Sequence, residues 1–294
     1  MLIIKDISNL KLYLQAYENK GYSLGYIPTM GALHEGHGQL INQSQKDNKK
    51  SIVSIFVNEK QFNKPEDFEG YPRNKGKDYD FCDRFNVDVI FEPPQEEIYQ
   101  ENETKLENKY FKNILCDNFR PNHFDGVTTV LNKFFSIVKC NKVYFGEKDY
   151  QQLKIVEKFI QEKYSSLELV SVPTARSEEG IAFSSRNEKL SKKQLLEFEL
   201  FHKASLKFMS DLDKDININQ ANTLAKEFIK KQAIEKFDYF EFRNISDLSL
   251  DGSIRDSRLF YAIYKGQVRL IDNINFYWRF CKDSNPEFLI RSQV

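Results

Sequence analysis

Short, nearly continuous apolar runs recur along the first part of the chain, at Leu24 to Thr29, Ser51 to Val57, Val87 to Phe91, Val143 to Phe145 and Leu167 to Val172. Apolar residues between these runs follow helical spacing over His37 to Lys46, Lys77 to Phe85, Val127 to Val138 and Asp149 to Lys163; an earlier helix, Ser8 to Asn19, is closed by Gly21. Strands alternating with helices form β-α-β units, which build a parallel sheet. The pattern therefore predicts an α/β, Rossmann-like domain over residues 1–174. Beyond Pro173 the order changes to a loop, two long charged helices (Ser191 to Leu212 and Asn219 to Lys236) and three strand-like runs, Phe237 to Arg243, Leu259 to Tyr264 and Val268 to Ile274. Consecutive helices followed by consecutive strands predict a smaller α+β C-terminal domain over residues 175–294. Gln95 to Lys112 reads as a polar surface excursion, and Asn275 to Val294 carries no clear pattern.

Composition narrows the classes. With 294 residues, 40% of them hydrophobic, the chain can bury a sizeable core, which argues against disorder. Lys+Arg and Asp+Glu both number 43, so no domain-wide positive field exists to hold a nucleic-acid backbone, and a nucleic-acid partner is not expected. No apolar run approaches the roughly 20 residues a membrane span needs, and Met1 to Asp6 is too short for a secretory signal. A cytoplasmic chain with no membrane partner is expected. Cys82, Cys116, Cys140 and Cys281 lie dozens of residues apart without a C-x-x-C pair, so they read as reduced, structural thiols.

Ligands of an open parallel sheet bind beyond the carboxyl ends of its strands, and the unusual polar residues of this sequence fall there. The first long run leads into Pro28 to His37, the second into Asn58 to Phe62, the fourth into Gly146 to Gln152. His34 and His37, two of only four histidines, sit three apart at a strand-to-helix turn flanked by Gly31 and Gly36. That placement predicts an anion site made of backbone N–H groups at a helix start and imidazoles able to donate to phosphate oxygens. The spacing is not the H-E-x-x-H of zinc enzymes, and Gly146-Glu147-Lys148-Asp149 is not a Walker A loop. Ser184-Ser185-Arg186 and Lys148 are candidates to neutralise polyphosphate. Asn58, Gln61 and Gln152 are amides suited to a small polar substrate. His123 stands just before a helix, where capping and substrate contact are both open; His202 lies inside one. Asp78 could approach a magnesium ion held mainly by phosphates, or could be an ordinary acid at a helix start.

Pro28 to His37, Ser54 to Asn58 with Gln61-Phe62, Tyr71-Pro72-Arg73, Arg120 to Gly126, Gly146 to Leu153, Ser184 to Asn187 and Arg269 to Asn273 together resemble the pantoate β-alanine ligase family of nucleotidyltransferases, in matching order over roughly the whole chain. The resemblance implies an ATP-dependent, AMP-forming ligase. Pantoate would attack the α-phosphorus of ATP to give pantoyl adenylate and diphosphate, and the amine of β-alanine would then displace AMP. It further implies that His34 and His37 stabilise the α-phosphate transition state, with His37 as proton donor, and that Lys148 and Arg186 join them in catalysis. Met30, Gly31, Ala32, Leu33, His34, Glu35, Gly36 and His37, with Gly146, Glu147, Lys148, Asp149 and Ala175, would line the ATP site. Phe183, Ser184, Ser185 and Arg186 would complete it from the second domain. Gln61 and Gln152 would grip pantoate with Asn58, Tyr71 and His123 nearby, Mg²⁺ would accompany ATP, and the chain would form a homodimer with a C-terminal domain that closes over the site.

Several positions depart from the family pattern: Glu59-Lys60 where an uncharged pair is usual, Phe183 before Ser-Ser-Arg, Gly38 after His37, and Lys77 before Asp78. Two other readings stand beside the ligase. One is a nucleotidyltransferase acting on a different acid or phosphate ester; the other is a nucleotide-binding module without catalysis.

Overall fold

The computed structural model describes residues 1–100 and 103–276, and the chain divides into two compact units, Met1–Ala175 and Arg176–Val294. The first unit runs β1 (Leu2–Ile4), α1 (Ile7–Glu18), β2 (Leu24–Thr29), α2 (Glu35–Asp47), β3 (Lys50–Ile55), α3 (Pro65–Glu69), α4 (Lys75–Arg84) and β4 (Val89–Phe91). It continues through α5 (Gln95–Ile98), α6 (Leu115–Phe119), α7 (His123–Val138), β5 (Lys142–Gly146), α8 (Tyr150–Lys163) and β6 (Glu168–Val172). The strands lie in the order β1-β4-β3-β2-β5-β6 with every pairing parallel. Strand residues Tyr26, Ile27, Ile52, Val53, Ile90, Phe91, Val143 and Tyr144 are buried, as expected of a parallel sheet covered on both faces. Tyr26 keeps its hydroxyl satisfied inside the sheet through Ser54 Oγ at 2.8 Å, and Phe134 of α7 meets Tyr26, Phe56 and Phe91 edge-on.

The chain order reverses at β2, which has β3 on one side and β5 on the other. Loops leaving the carboxyl ends of these two neighbours flank one crevice, the topological switch point where doubly wound sheets bind ligands.

Two expectations change. The sheet has six strands where five were read: β1 is three residues long at the chain start and pairs only with β4, so Leu2 and Ile3 remain exposed and give no buried pattern to read. The polar segment after Pro94 is also not a plain surface excursion. Ile98 and Asn108 are buried, and the backbone N–H groups of Leu106 and Asn108 donate to Thr129 Oγ1 (2.7 Å) and Asp125 Oδ1 (2.9 Å) on α7. A polar strap leaves no hydrophobic signature when its backbone is held by polar side chains of a helix far along the chain.

The second unit contains α9 (Lys192–Asp211), α10 (Ile218–Lys231) and an antiparallel meander β7 (Phe237–Asn244), β8 (Ser257–Lys265), β9 (Val268–Asn275). Capping boxes start both helices, Ser191 with Gln194 and Asn217 with Gln220. Phe198, Phe201, Ile218, Phe242, Leu259 and Tyr261 are among the residues that form its core. Among the described residues no helix is long and apolar enough to cross a membrane. Cys82, Cys116 and Cys140 are not in disulfides; burial pushes Cys82 and Cys140 up to about 12, so neither is a thiolate at neutral pH. Cys281, like the chain from residue 277 onward, lies outside the described residues.

Candidate active site

The turn after β2 is fixed by side chains. Gly31 (φ +76) and Ala32 (φ +50) are both left-handed, a conformation that disfavours a residue bearing Cβ and needs outside support. Thr29 Oγ1 accepts from Gly31 N–H (3.2 Å) while donating to Ser54 C=O (2.6 Å). The buried carboxylate of Asp78, on α4, accepts from Ala32 N–H (3.1 Å) and Leu33 N–H (2.8 Å). Asp78, the metal candidate, uses its two oxygens to hold the loop in shape. Among the described residues no group of three or more His, Cys, Asp or Glu gathers to hold a metal ion.

His34 caps α2. Its Nδ1 accepts from Gly36 N–H (3.2 Å), and His37 Nδ1 accepts from His34 N–H (3.2 Å), a reciprocal capping box made of two imidazoles. A ring nitrogen that accepts from a backbone N–H carries no proton, so in each neutral ring the proton resides on Nε2. The two rings lie 4.1 Å apart between centres. Burial, helped by the Lys148 charge, lowers His34 to about 4; burial, with His34 and Lys148, pushes His37 well below the usual imidazole value. Both are neutral Nε2–H donors at physiological pH. A Cβ on Gly36 would lie 2.9 Å from His34 Cε1, so only glycine admits the cap, and Ala175 is the next neighbour at 3.9 Å.

These bonds revise the expected anion site. N–H groups of Gly31, Ala32, Leu33, His34, Gly36 and His37 are all engaged within the protein. With these six backbone donors engaged, the imidazole Nε2–H groups and Lys148 become the leading donors for an anion. Lys148 sits in the 3₁₀ turn Glu147–Asp149 directly after Gly146 ends β5, close enough for its charge to act on both histidines. The acids nearby have other partners: Glu35 pairs with Arg84 (2.6 Å), Glu147 accepts from Ser171 Oγ (3.2 Å), and Asp149 Oδ2 lies 3.5 Å from Lys148 Nζ.

Across from the histidines, Met30 Sδ accepts from Gln61 Nε2 at 2.7 Å. Gln61 lies in the 3₁₀ turn Glu59–Gln61 and is held at both ends: Asn58 Nδ2 donates to its Oε1 (3.0 Å), and His123 Nδ1 lies 2.7 Å from its carbonyl oxygen. Arg120 Nη1 is 3.1 Å from His123 Nε2 and can only donate, so His123 carries its proton on Nδ1 and donates to Gln61. Asn58 is filled as well, giving N–H to Gln61 Oε1 and Gly126 C=O and accepting from Lys60 N–H and Tyr99 OH. Asn58 and His123, read as substrate contacts, thus hold Gln61 in place. Gly126 allows α7 to lie against this turn, since a Cβ there would fall 2.3 Å from Lys60 C=O. Tyr71 packs edge-on against Phe62, 5.7 Å between ring centres. In the first turn of α8 the neighbouring glutamines separate: Gln151 is buried and bonds Cys116 N–H, Phe111 C=O and Ile114 C=O, whereas Gln152 is partly exposed.

In the second unit, Ser184 C=O and Oγ accept from Asn187 N–H (3.0 Å) and Arg186 N–H (3.3 Å), so Phe183 to Asn187 forms a tight turn with Asn187 Nδ2 bound to Ala182 C=O. A buried network anchors the loop before it. Arg176 makes a bidentate pair with Asp272 (2.7 and 3.0 Å) and also bonds Gly180 C=O and Asn273 C=O. Tyr261 OH donates to Asp272 (3.2 Å) and His202 Nδ1 lies 3.1 Å from Tyr261 OH, which makes His202 a structural residue. Neither Arg176 nor Asp272 stands out in sequence as a functional residue, because only their pairing, across 96 positions, gives them a role.

A family model described as pantoate-beta-alanine ligase matches residues 2–275. Pantothenate synthetase of Clostridium botulinum (strain 657 / Type Ba4) is 38% identical over 286 residues, spanning 94% of this chain and 99% of that one. Its counterpart from Aquifex aeolicus (strain VF5) is 38% identical over 277 residues, spanning 92% and 98%. Among solved structures, pantothenate synthetase from Thermus thermophilus matches with a TM-score of 0.84 at 31% identity, covering 94% of this chain and 100% of the other. Pantoate-beta-alanine ligase from Francisella tularensis, complexed with beta-gamma ATP and beta-alanine, matches with a TM-score of 0.78 at 32% identity, covering 94% and 98%.

Proposed function

Because this chain belongs to the pantoate-beta-alanine ligase family, we propose that it condenses pantoate with β-alanine, using ATP, through a pantoyl adenylate. In the first step a pantoate carboxylate oxygen bonds to the α-phosphorus of ATP as the bond to diphosphate breaks. In the second, the β-alanine amine bonds to the activated carbonyl carbon, AMP leaves with the C–O electron pair, and the amine gives up a proton. The detour is chemically necessary: a carboxylate is a poor acyl donor because oxide is a poor leaving group, and adenylation replaces oxide with AMP.

The pair of neutral Nε2–H donors at His34 and His37 beside the Lys148 cation carries this reading. Rigid donors of this kind stabilise negative charge that grows on phosphoryl oxygens in a transition state. As a hydrogen-bond donor His37 keeps its proton, since losing it from a neutral ring would leave an imidazolate; this replaces the proton-donor role. Gln61 and Gln152 take the pantoate side, with Tyr71 near them. Ser184, Ser185 and Arg186 belong to this reading as candidate phosphate ligands. Magnesium enters as the counter-ion of the ATP phosphates. We place the working form as a homodimer in the cytoplasm.

The test is the co-substrate requirement. ATP with pantoate should yield diphosphate, and AMP release should follow only when β-alanine is added. AMP formed from another acid in place of pantoate would favour a different nucleotidyltransferase, and tight ATP binding with no turnover of any carboxylic acid would favour a non-catalytic module.

A further inference from the structure

We propose that Tyr99 and Lys60 are positioning residues that set pantoate affinity by fixing which end of the Gln61 amide faces the ligand; this rests on the ligase reading above. Asn58 sets the orientation. Lys60 backbone N–H can only donate, so the end of Asn58 near it (3.3 Å) is the oxygen; Gly126 C=O can only accept, so the end near it (3.0 Å) is the NH₂. That NH₂ also faces Gln61, which obliges Gln61 to turn its oxygen inward at 3.0 Å and its own NH₂ outward, where Met30 Sδ lies. A thioether is a weak acceptor, so this outward NH₂ is left with donor capacity for a carboxylate or hydroxyl oxygen.

Tyr99 completes the arrangement from the far side. Its hydroxyl donates to Asn58 Oδ1 at 2.8 Å, and burial holds the phenol above its usual pKa, so it remains a donor at all working pH values. Lys60 then secures Tyr99: its Nζ lies 4.5 Å from the centre of the Tyr99 ring and donates to Glu103 C=O. Lys60 is one of the two charges that depart from the family's uncharged pair. Its ammonium is engaged by Tyr99 and Glu103, which converts a change beside the pocket into a brace for the amide chain.

The experiment is steady-state kinetics of the full-length enzyme with Tyr99→Phe and Lys60→Met, each alone and combined with Gln61→Ala, with thermal melting of every variant. Tyr99→Phe keeps the ring and removes one hydrogen bond, so the pantoate KM should rise about five- to ten-fold, with the ATP KM unchanged. Lys60→Met should shift the same constant by about two- to five-fold. In the Gln61→Ala background neither change should move it further, because the group they orient is gone. An unchanged pantoate KM in both single variants, equal shifts for pantoate and ATP, or undiminished shifts in the Gln61→Ala background would overturn the proposal while leaving the ligase reading intact. Wild-type enzyme that releases no AMP from the complete mixture would remove the ligase reading itself and this inference with it.

Discussion

Neutrality of the two imidazoles can be tested by titration. His34 is lowered from 6.5 to about 4, which at ~1.36 kcal/mol per pH unit is about 3 kcal/mol of preference for the uncharged ring; His37 is displaced in the same direction. The cause is burial, reinforced by the Lys148 cation. A base whose folded pKa is depressed binds fewer protons folded than unfolded between the two values. Its contribution to stability is therefore intact above 6.5 and erodes as pH falls from 6.5 toward about 4. The chain has only four histidines, so long-range ¹H–¹⁵N spectra of ¹⁵N-histidine-labelled protein can follow each ring, with single His→Gln variants for assignment. Expected are Nε2–H tautomers for His34 and His37 from about pH 8 to 5, with His34 charging near 4. Single-turnover adenylation should accordingly show no limb from these rings between about pH 6 and 8. A midpoint at or above 6.5 for either ring, or an Nδ1–H tautomer, would refute the reciprocal cap.

Other substitutions separate the roles. His37→Ala should slow adenylate formation by about 10²- to 10³-fold, the effect of losing one transition-state donor, as read by rapid-quench diphosphate release. Gln61→Ala should raise the pantoate KM more than the ATP KM; equal losses would count against its assignment to the pantoate side. Asp78→Asn turns an N–H group toward the Ala32 or Leu33 N–H and should cost about 1–3 kcal/mol, visible as a lower Tm together with weaker ATP binding. Arg176→Ala strands the fully buried Asp272 carboxylate and should cost about 3–5 kcal/mol in chemical denaturation, with much of the loss recovered by Arg176→Met combined with Asp272→Leu.

Much of the first unit was legible because parallel strands buried on both faces read as unbroken apolar runs. Leu24 to Thr29 coincides with β2, and the loops after β2 and β5, with His34, His37 and Lys148, follow from the switch-point rule. Partnerships across the chain were not legible. Asp78 looks the same in sequence whether it meets a metal or Leu33 N–H, 45 positions away. The helix-start rule counted backbone donors as available without showing that Thr29, Asp78 and the histidines themselves already occupy them. Tyr99 stood in a polar stretch with no pattern, and its hydrogen bond to Asn58 spans 41 positions. Local chemistry marked candidate groups; only tertiary contacts show which of them are bonded to other parts of the chain.

That separation bears on substrate choice. Asn58 and His123 are satisfied internally, the loop amides are bonded to Thr29, Asp78 and the imidazoles, and Glu35, Glu147 and Asp149 each have a partner. Among the first unit's groups proposed for a ligand, the Nε2–H of His34 and His37, the outward NH₂ of Gln61 and Lys148 can only donate, whereas the Gln152 amide and the Tyr71 hydroxyl can also accept. Of these donors only Lys148 is charged. The imidazole, Gln61 and Lys148 donors favour acceptor-rich anions, which suits a carboxylate meeting a polyphosphate. These donors themselves give no hold on an ammonium, so on the proposed reading the amine of the second substrate is held by acceptors or arrives uncharged.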